Sequence, residues 1–238
     1  SHYHVEFSEV QNLTDTSTER NSPITLPSIT VEKTGKGFIE GHILKTKIHA
    51  NHIWQDLGHD VSRWNIQQTN FNSHENKLGI FENEIGYLGS IYQVNKRNDG
   101  FTNTGEVIRA NIHASSVWRR YYNYTVNKKS LIFEPKIKLT FIGGDDKNND
   151  IPNRDSADFR IDSANMFLTN RFQGYDYVLP GARADIGLSA FTNSKILGSL
   201  HGFAGVSRRH TGEAPSGLTA GNNKDLSDYI ATVSAEKE

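Results

Sequence analysis

The sequence predicts an all-β chain: a section of an antiparallel transmembrane β-barrel, about ten strands of a larger barrel joined by short periplasmic turns and long extracellular loops. Three observations predict it. Apolar and polar residues alternate with period two over long stretches, short and long connections alternate along the chain, and a polar average composition coexists with many aromatic rings.

The clearest element is Leu131–Ile142. Leu131, Phe133, Pro135, Ile137, Leu139 and Phe141 share one parity, and Glu134, Lys136, Lys138 and Thr140 lie on the other. Side chains of a strand alternate between faces, so this segment has an apolar face and a mainly polar one. A helix would need apolar residues three and four apart, and the two lysines interrupt that stripe. Pro135 lacks a ladder donor, which predicts a bulge or weakened pairing there.

The same logic reads Ile108–Trp118 as a strand, with Ile108, Ala110, Ile112 and Ala114 opposite Arg109, Asn111 and His113. Ala182–Ala190 alternates Ala182, Ala184, Ile186 and Leu188 against Arg183 and Asp185. Ile196–Val206 follows, with Phe203 out of pattern. Further strands are predicted at Tyr3–Val10, Ile24–Lys33, Phe38–Trp54, Ser62–Phe71, Leu78–Val94 and Asp228–Ser234.

Short turns are predicted at Thr34–Gly37, Asn72–Asn76, Asn127–Ser130 and Thr192–Lys195. Longer connections cover Asn12–Ser22, Asn95–Gly105, Gly143–Pro180 and Ser207–Ser227, with the modest Gln55–Val61 as the exception. Regular alternation suits a transmembrane barrel. Greek-key sandwiches have no reason to alternate so.

Composition narrows the function classes. The 238 residues are 35 % hydrophobic and 10 % aromatic, with 12 Phe and 9 Tyr, and mean hydropathy is −0.59. A disordered chain would lack the rings. Net charge is −1, which offers no electrostatic case for nucleic acid. The absence of cysteine removes disulfides, thiol nucleophiles and zinc-thiolate sites. No apolar run approaches the ~20 residues of a membrane helix, a test that β-barrels escape because lipid-facing and interior residues alternate.

Chemical motifs are weak. His49, His52 and His59 stand near Asp56 and Asp60, but on a strand His49 and His52 point to opposite faces. Asp146–Asp150 begins like a calcium loop, yet Ile151 and Ala157 stand where the EF-hand pattern needs Gly and Glu. Glu82 and Glu84 share a strand face and read as ordinary solvated neighbours. No catalytic residue, metal site or cofactor is assigned. Two alternatives to an assembly barrel stay open here, a general porin or uptake barrel and a soluble β-rich binding domain.

Several motifs occur in order: Leu131-Ile132-Phe133-Glu134-Pro135, Pro152-Asn153-Arg154-Asp155-Ser156, Asn165-Met166-Phe167, and Asn170-Arg171-Phe172-Gln173-Gly174-Tyr175-Asp176. Arg183 and Gly187 follow, then Leu226-Ser227-Asp228-Tyr229, while Gly58–Arg63 lies upstream. Together they resemble the C-terminal barrel domain of the lipopolysaccharide-assembly outer-membrane family LptD, also called organic-solvent-tolerance proteins. The specific motifs cover roughly a quarter of the chain, and the rest agrees in strand-and-loop rhythm.

The resemblance implies a non-enzymatic outer-membrane protein of a Gram-negative cell that passes lipopolysaccharide (LPS) into the outer leaflet. It implies an LptE-like lipoprotein plug, LPS and outer-membrane lipid as partners, and a periplasmic Lpt bridge reached through an N-terminal domain. Residues 1–238 would be a partial barrel domain, not competent alone. The loop residues carrying the motif, Asp155, Phe167, Arg171, Phe172, Gly174, Tyr175 and Asp176, would then offer plug or interior contacts. Arg109, His113, Glu134, Lys136, Lys138 and Arg183 would line the interior.

Overall fold

Period-two alternation with β-branched and aromatic residues yields strands throughout. In the computed structural model, residues 2–9, 24–54, 60–95, 105–126, 129–145, 147–156, 161–172, 174–194, 197–211 and 228–237 are described. They contain β1 (His2–Glu9), β2 (Ile24–Lys36), β3 (Ile43–Trp54), β4 (Asp60–Asn76), β5 (Gly79–Asn95) and β6 (Gly105–Arg119). There follow β7 (Tyr122–Val126), β8 (Lys129–Gly144), β9 (Gly181–Ser194), β10 (Gly198–Arg209) and β11 (Asp228–Glu236). One sheet joins them in chain order, with β7 paired to β8 off the main path between β6 and β8. The printed ladders are antiparallel, for example β8 with β9 and β9 with β10.

The strands are longer than the alternation suggested. β4 and β5 have 17 residues each and β8 has 16, against the ~9–11 needed to cross a bilayer. Polar ends read as turns are therefore strand. Thr34–Lys36 close β2, and the turn falls at Gly37–His42, where Gly37 N donates to His42 O at 2.8 Å. Phe38–His42 belongs to that turn rather than to β3. Asn72–Asn76 completes β4, and the reversal occupies only Lys77 and Leu78, with Asn76 Oδ1 accepting from Leu78 N at 2.8 Å. Lys129 and Ser130 open β8, and Thr192–Ser194 ends β9. Polar residues extend a ladder as readily as apolar ones once their neighbours are in register, because backbone groups make the pairs. Long connections at residues 10–23, 96–104, 145–180 and 210–227 stand against short ones at 37–42, 77–78, 127–128 and 195–197, and residues 55–59 are again short where a long one is due.

Pro135 accounts for the extra strand. The β8–β9 ladder passes it in continuous register, Glu134 with Ser189, Pro135 with Leu188 and Lys136 with Gly187. A residue's N–H and C=O face the same neighbour in an antiparallel ladder, and Pro135 O accepts from Arg120 N at 3.3 Å. The missing donor therefore faces the other edge, where the chain breaks at Arg120 and Tyr121 between β6 and β7. The predicted weakening is there, on one side only.

Two compact units divide the chain. One comprises Ser1–Asn70, Gly86–Ile112 and Gly144–Asn153, the other Phe71–Ile85, His113–Gly143 and Arg154–Glu238. In each, the usual distribution is inverted. In the first, Trp64, Ile66, Ile108 and Ile112 are exposed while Arg63, Asn65, Arg109 and Asn111 are buried. In the second, Ile137, Leu139, Phe141, Ile186 and Leu188 are exposed, whereas Lys138 is 5 % and Asp185 0 % exposed. An apolar parity facing out and a charged parity facing in is the arrangement a sheet needs when lipid, not water, is its outer solvent.

Small apolar contacts also exist on the polar face. In the first unit Ile151, from the β8–β9 connection, packs with Val61, Tyr92 and Val94. His49 is buried and bonds Thr30 Oγ1 at 3.0 Å, while the less buried His52 bonds Ser62 Oγ at 2.8 Å. Both are ordinary strand-to-strand contacts; His59, Asp56 and Asp146 lie outside the described residues. Among the described residues no cluster suited to a metal ion occurs.

The inverted distribution makes Ile137, midway along the apolar run of β8, a sensitive position. Ile137→Arg should destabilise the folded parent protein in bilayers by about 2–4 kcal/mol, read as a shifted urea midpoint. A shift equivalent to less than about 0.5 kcal/mol would place Ile137 in water rather than lipid.

Candidate functional site

A buried charge cluster on the polar face of the second unit is the densest chemistry in the described residues. β8 supplies Lys138, β9 supplies Arg183 and Asp185, and β10 supplies Ser207, all on the parity opposite Ile137, Ile186 and Val206. The β8–β9 connection supplies Arg171. Asp185 is the hub. Its Oδ1 accepts from Arg171 Nη2 and Ser207 Oγ, both at 2.6 Å, and its Oδ2 accepts from Arg183 Nε at 3.0 Å.

Two guanidinium groups share the Asp185 carboxylate, and the loop backbone provides further acceptors for them and for Lys138. Residues 162–168 form a turn in which Met166 N donates to Asp162 O and Leu168 N to Asn165 O. Asp162 Oδ1 accepts from Ala164 N and Asn165 N, which holds the turn's start. Its last three carbonyls each meet a cation: Arg171 donates to Met166 O at 3.1 Å, Lys138 Nζ to Phe167 O at 2.8 Å, and Arg183 Nη2 to Leu168 O. Carbonyls at the end of a turn lack backbone partners and carry partial negative charge, so cations suit them.

Lys138 Nζ also donates to Thr169 Oγ1 at 2.8 Å, and that hydroxyl donates on to Glu84 Oε2 at 3.4 Å. Glu84 Oε1 pairs with His113 Nε2 at 3.0 Å. Glu82 pairs with Arg119 at 2.7 Å, and Arg119 lies 3.7 Å from Glu134. Glu82 and Glu84 are thus partners of specific cations and not solvated neighbours. A carboxylate on the covered parity has too little water to stay unpaired.

Seating the turn on the sheet needs room. Gly187 and Gly205 are directly paired on β9 and β10. A Cβ on Gly187 would lie 2.9 Å from Phe167 Cζ, and one on Gly205 would lie 2.7 Å from Met166 Sδ. Phe167 meets Phe203 edge to face at 6.3 Å between ring centres, and Lys136 Nζ sits 4.5 Å from the Phe167 ring centre. Phe203, out of pattern in the alternation, is therefore an aromatic on the polar face, accommodated by the two glycines.

A second assembly joins residues 154–156 to 174–177. Asp176 Oδ2 accepts from Arg154 N at 2.6 Å and Asp155 N at 3.0 Å. In return Asp155 Oδ1 accepts from Tyr175 N at 3.0 Å, and Ser156 Oγ accepts from Asp176 N and Tyr177 N. Gly174 has φ +79°, and any Cβ there would collide with the Asp155 carboxylate, so glycine is required twice over. Phe172 packs edge to face on Tyr177 at 5.7 Å. Burial pushes the Tyr177 phenol above its ordinary value, helped by the neighbouring Asp176 carboxylate.

Of the residues singled out from sequence, His113, Lys138, Phe167, Arg171 and Arg183 meet in the charge cluster, with Lys136 over Phe167. Asp155, Gly174, Tyr175 and Asp176 meet in the reciprocal clasp, with Phe172 beside it. Glu134 belongs with Arg119. Arg109 stands elsewhere, in the first unit, donating to Ser90 Oγ and Tyr92 Oη at 3.4 and 3.3 Å. Asp185 as hub, Ser207, Thr169 and Gly205 carry no signal in the sequence, where Ser156 stands only inside a motif and Glu84 only as a solvated neighbour. Parity alone signals that Asp185 lies on the polar face, and nothing local signals its three donors.

Asp185→Asn should release the turn at 162–168, since it leaves Arg171 and Arg183 short of a buried counter-charge. Breaking one partner of such a buried pair costs about 3–5 kcal/mol. The expected result is faster protease cleavage near Phe167 in the assembled parent protein. Cleavage at the unaltered rate would show that Asp185 does not hold the turn.

The family model described as LPS transport system D, LptD, matches residues 2–236. No curated protein matches the chain.

Proposed function

The chain belongs to the LptD family, and from that premise we propose that its polar face is an inner wall shared by LPS in transit and a lipoprotein plug. Membership makes the chain an outer-membrane β-barrel component of LPS transport. The single observation that carries the reading is the inverted sheet: exposed Ile137, Leu139 and Phe141 on one parity, buried Lys138, Arg183 and Asp185 on the other. A soluble β-domain would bury the first set and hydrate the second.

Transport, not catalysis, is the role this supports. The ionised groups of the cluster are engaged with one another and with backbone carbonyls. They shape and charge a wall; none is paired as nucleophile and base. Leu168 of the turn at 162–168 is 47 % exposed. An exposed leucine on such a turn suits an apolar contact with an LptE-like plug. The location that follows is the outer membrane of a Gram-negative cell.

Depleting the parent protein should leave newly made LPS inaccessible to surface-modifying enzymes, and a photo-cross-linking residue at Leu168 should capture the plug lipoprotein. Unchanged surface display after depletion would overturn the transport reading. Normal display with no cross-link at Leu168 would remove the plug contact alone.

A further inference from the structure

The apolar face of the second unit is not uniform. Leu139 pairs with Ala184, which pairs with Arg208, and Phe141 pairs with Ala182, whose carbonyl accepts from His210 N at 2.8 Å. All of these positions share the outward parity of Ile186 and Leu188. Across β8, β9 and β10 the surface therefore reads as an apolar ridge, a floor of alanines and a rim of Arg208 and His210. A groove of about 650 Å³ opens along this surface, within the ~300–1,000 Å³ typical of small-ligand sites. It reaches past the ridge to Ala114 and Ser116 on β6 and touches Ser115, Thr140 and Arg183 between the outward residues.

Its height in the wall is fixed by the strands. The outward apolar run of β8 from Leu131 to Phe141 rises ~3.3 Å per residue, and at the tilt of such barrels it fills the ~25 Å apolar band. Phe141 stands at the end of that run, beside the 145–180 and 210–227 connections. Long connections are the extracellular ones in transmembrane barrels, so the groove opens at the outer-leaflet boundary. An arginine on the lipid face costs ~2–4 kcal/mol at mid-membrane and ~0–1 near the interface. Arg208 is exposed and, among the described residues, has no ion-pair partner. Its planar guanidinium is matched to a phosphate in bidentate geometry.

We propose that this groove seats an acyl chain of LPS in the outer leaflet, with Arg208 and His210 against a phosphate of its lipid anchor. The orientation rests on the transport reading above. Its lining touches Arg183 of the charge cluster, but Leu139, Phe141, Ala182, Ala184 and Arg208 lie on the opposite face of the same strands. It would hold product lipid against the barrel's outer surface, ordering the leaflet around the protein that fills it.

The test uses the folded parent protein purified in detergent, with bound lipid counted by native mass spectrometry after incubation with LPS or with phosphatidylglycerol. Arg208→Glu and the groove-filling Ala184→Phe should each lower retained LPS about fivefold, roughly 1 kcal/mol. Arg208→Lys and the off-groove Leu188→Phe should retain it. Phosphatidylglycerol binding should be the same in every variant. Equal LPS retention by Arg208→Glu, Ala184→Phe and the unaltered protein would overturn the proposal. So would a parallel fall in phosphatidylglycerol, which would make the groove a general anionic-lipid site. Because binding is read on purified protein, failure here is separable from failure of the depletion experiment, which tests transport itself.

Discussion

Three cations on a face with little water must find acceptors, and the second unit is organised around that requirement. Arg183 and Arg171 share one carboxylate, Asp185, while Lys138 reaches Glu84 through the Thr169 hydroxyl. The deficit is met by three consecutive carbonyls, those of Met166, Phe167 and Leu168. Removing a charge from water is costly unless it is paired and hydrogen-bonded. The loop is thus held by the wall's need for acceptors as much as by its own packing.

That need has its origin in the other face. With lipid outside, the apolar parity is turned outward, and away from the membrane boundary the polar parity is the favoured place for ionised side chains. The same sheet that displays Ile137 and Ile186 must cover Lys138 and Asp185. Coverage requires close approach, which Gly187 and Gly205 permit by leaving space for Phe167, Phe203 and Met166. The Asp155–Asp176 clasp then holds 154–156 against 174–177, so that the β8–β9 connection carries its own order as well as its attachment.

Much of the fold was legible because alternation is a local signal. The parity of Leu131–Phe141 and of Ala182–Leu188 is the parity of the sheet, and the rhythm of long and short connections survives. Strand ends were not legible, since Asn72–Asn76 and Thr34–Lys36 pair through backbone groups that composition does not report. Pro135 signalled a defect but not which edge would bear it; that depends on which neighbour its carbonyl faces. The charge cluster was half legible. Lys138 and Arg183 fall on the polar parity, and Arg171 lies in a recognisable motif. Their meeting at Asp185 and at three carbonyls depends on a tertiary path of the loop that no spacing encodes. Phe203 was misleading for a related reason, because its room comes from glycines on two strands.

The central claim is that the apolar parity faces lipid while the charged parity faces a covered, polar interior. The chain has no cysteine, so nitroxide labels can be placed one at a time from residue 136 to residue 142 in a cysteine-free form of the parent protein in bilayers. Collision with dissolved oxygen and with a water-soluble nickel complex then reports the solvent of each site. The account predicts oxygen maxima at Ile137, Leu139 and Phe141 and minima at Lys138 and Thr140, repeating every second residue. High nickel accessibility at Ile137, Leu139 and Phe141, or a repeat near 3.6 residues, would contradict it.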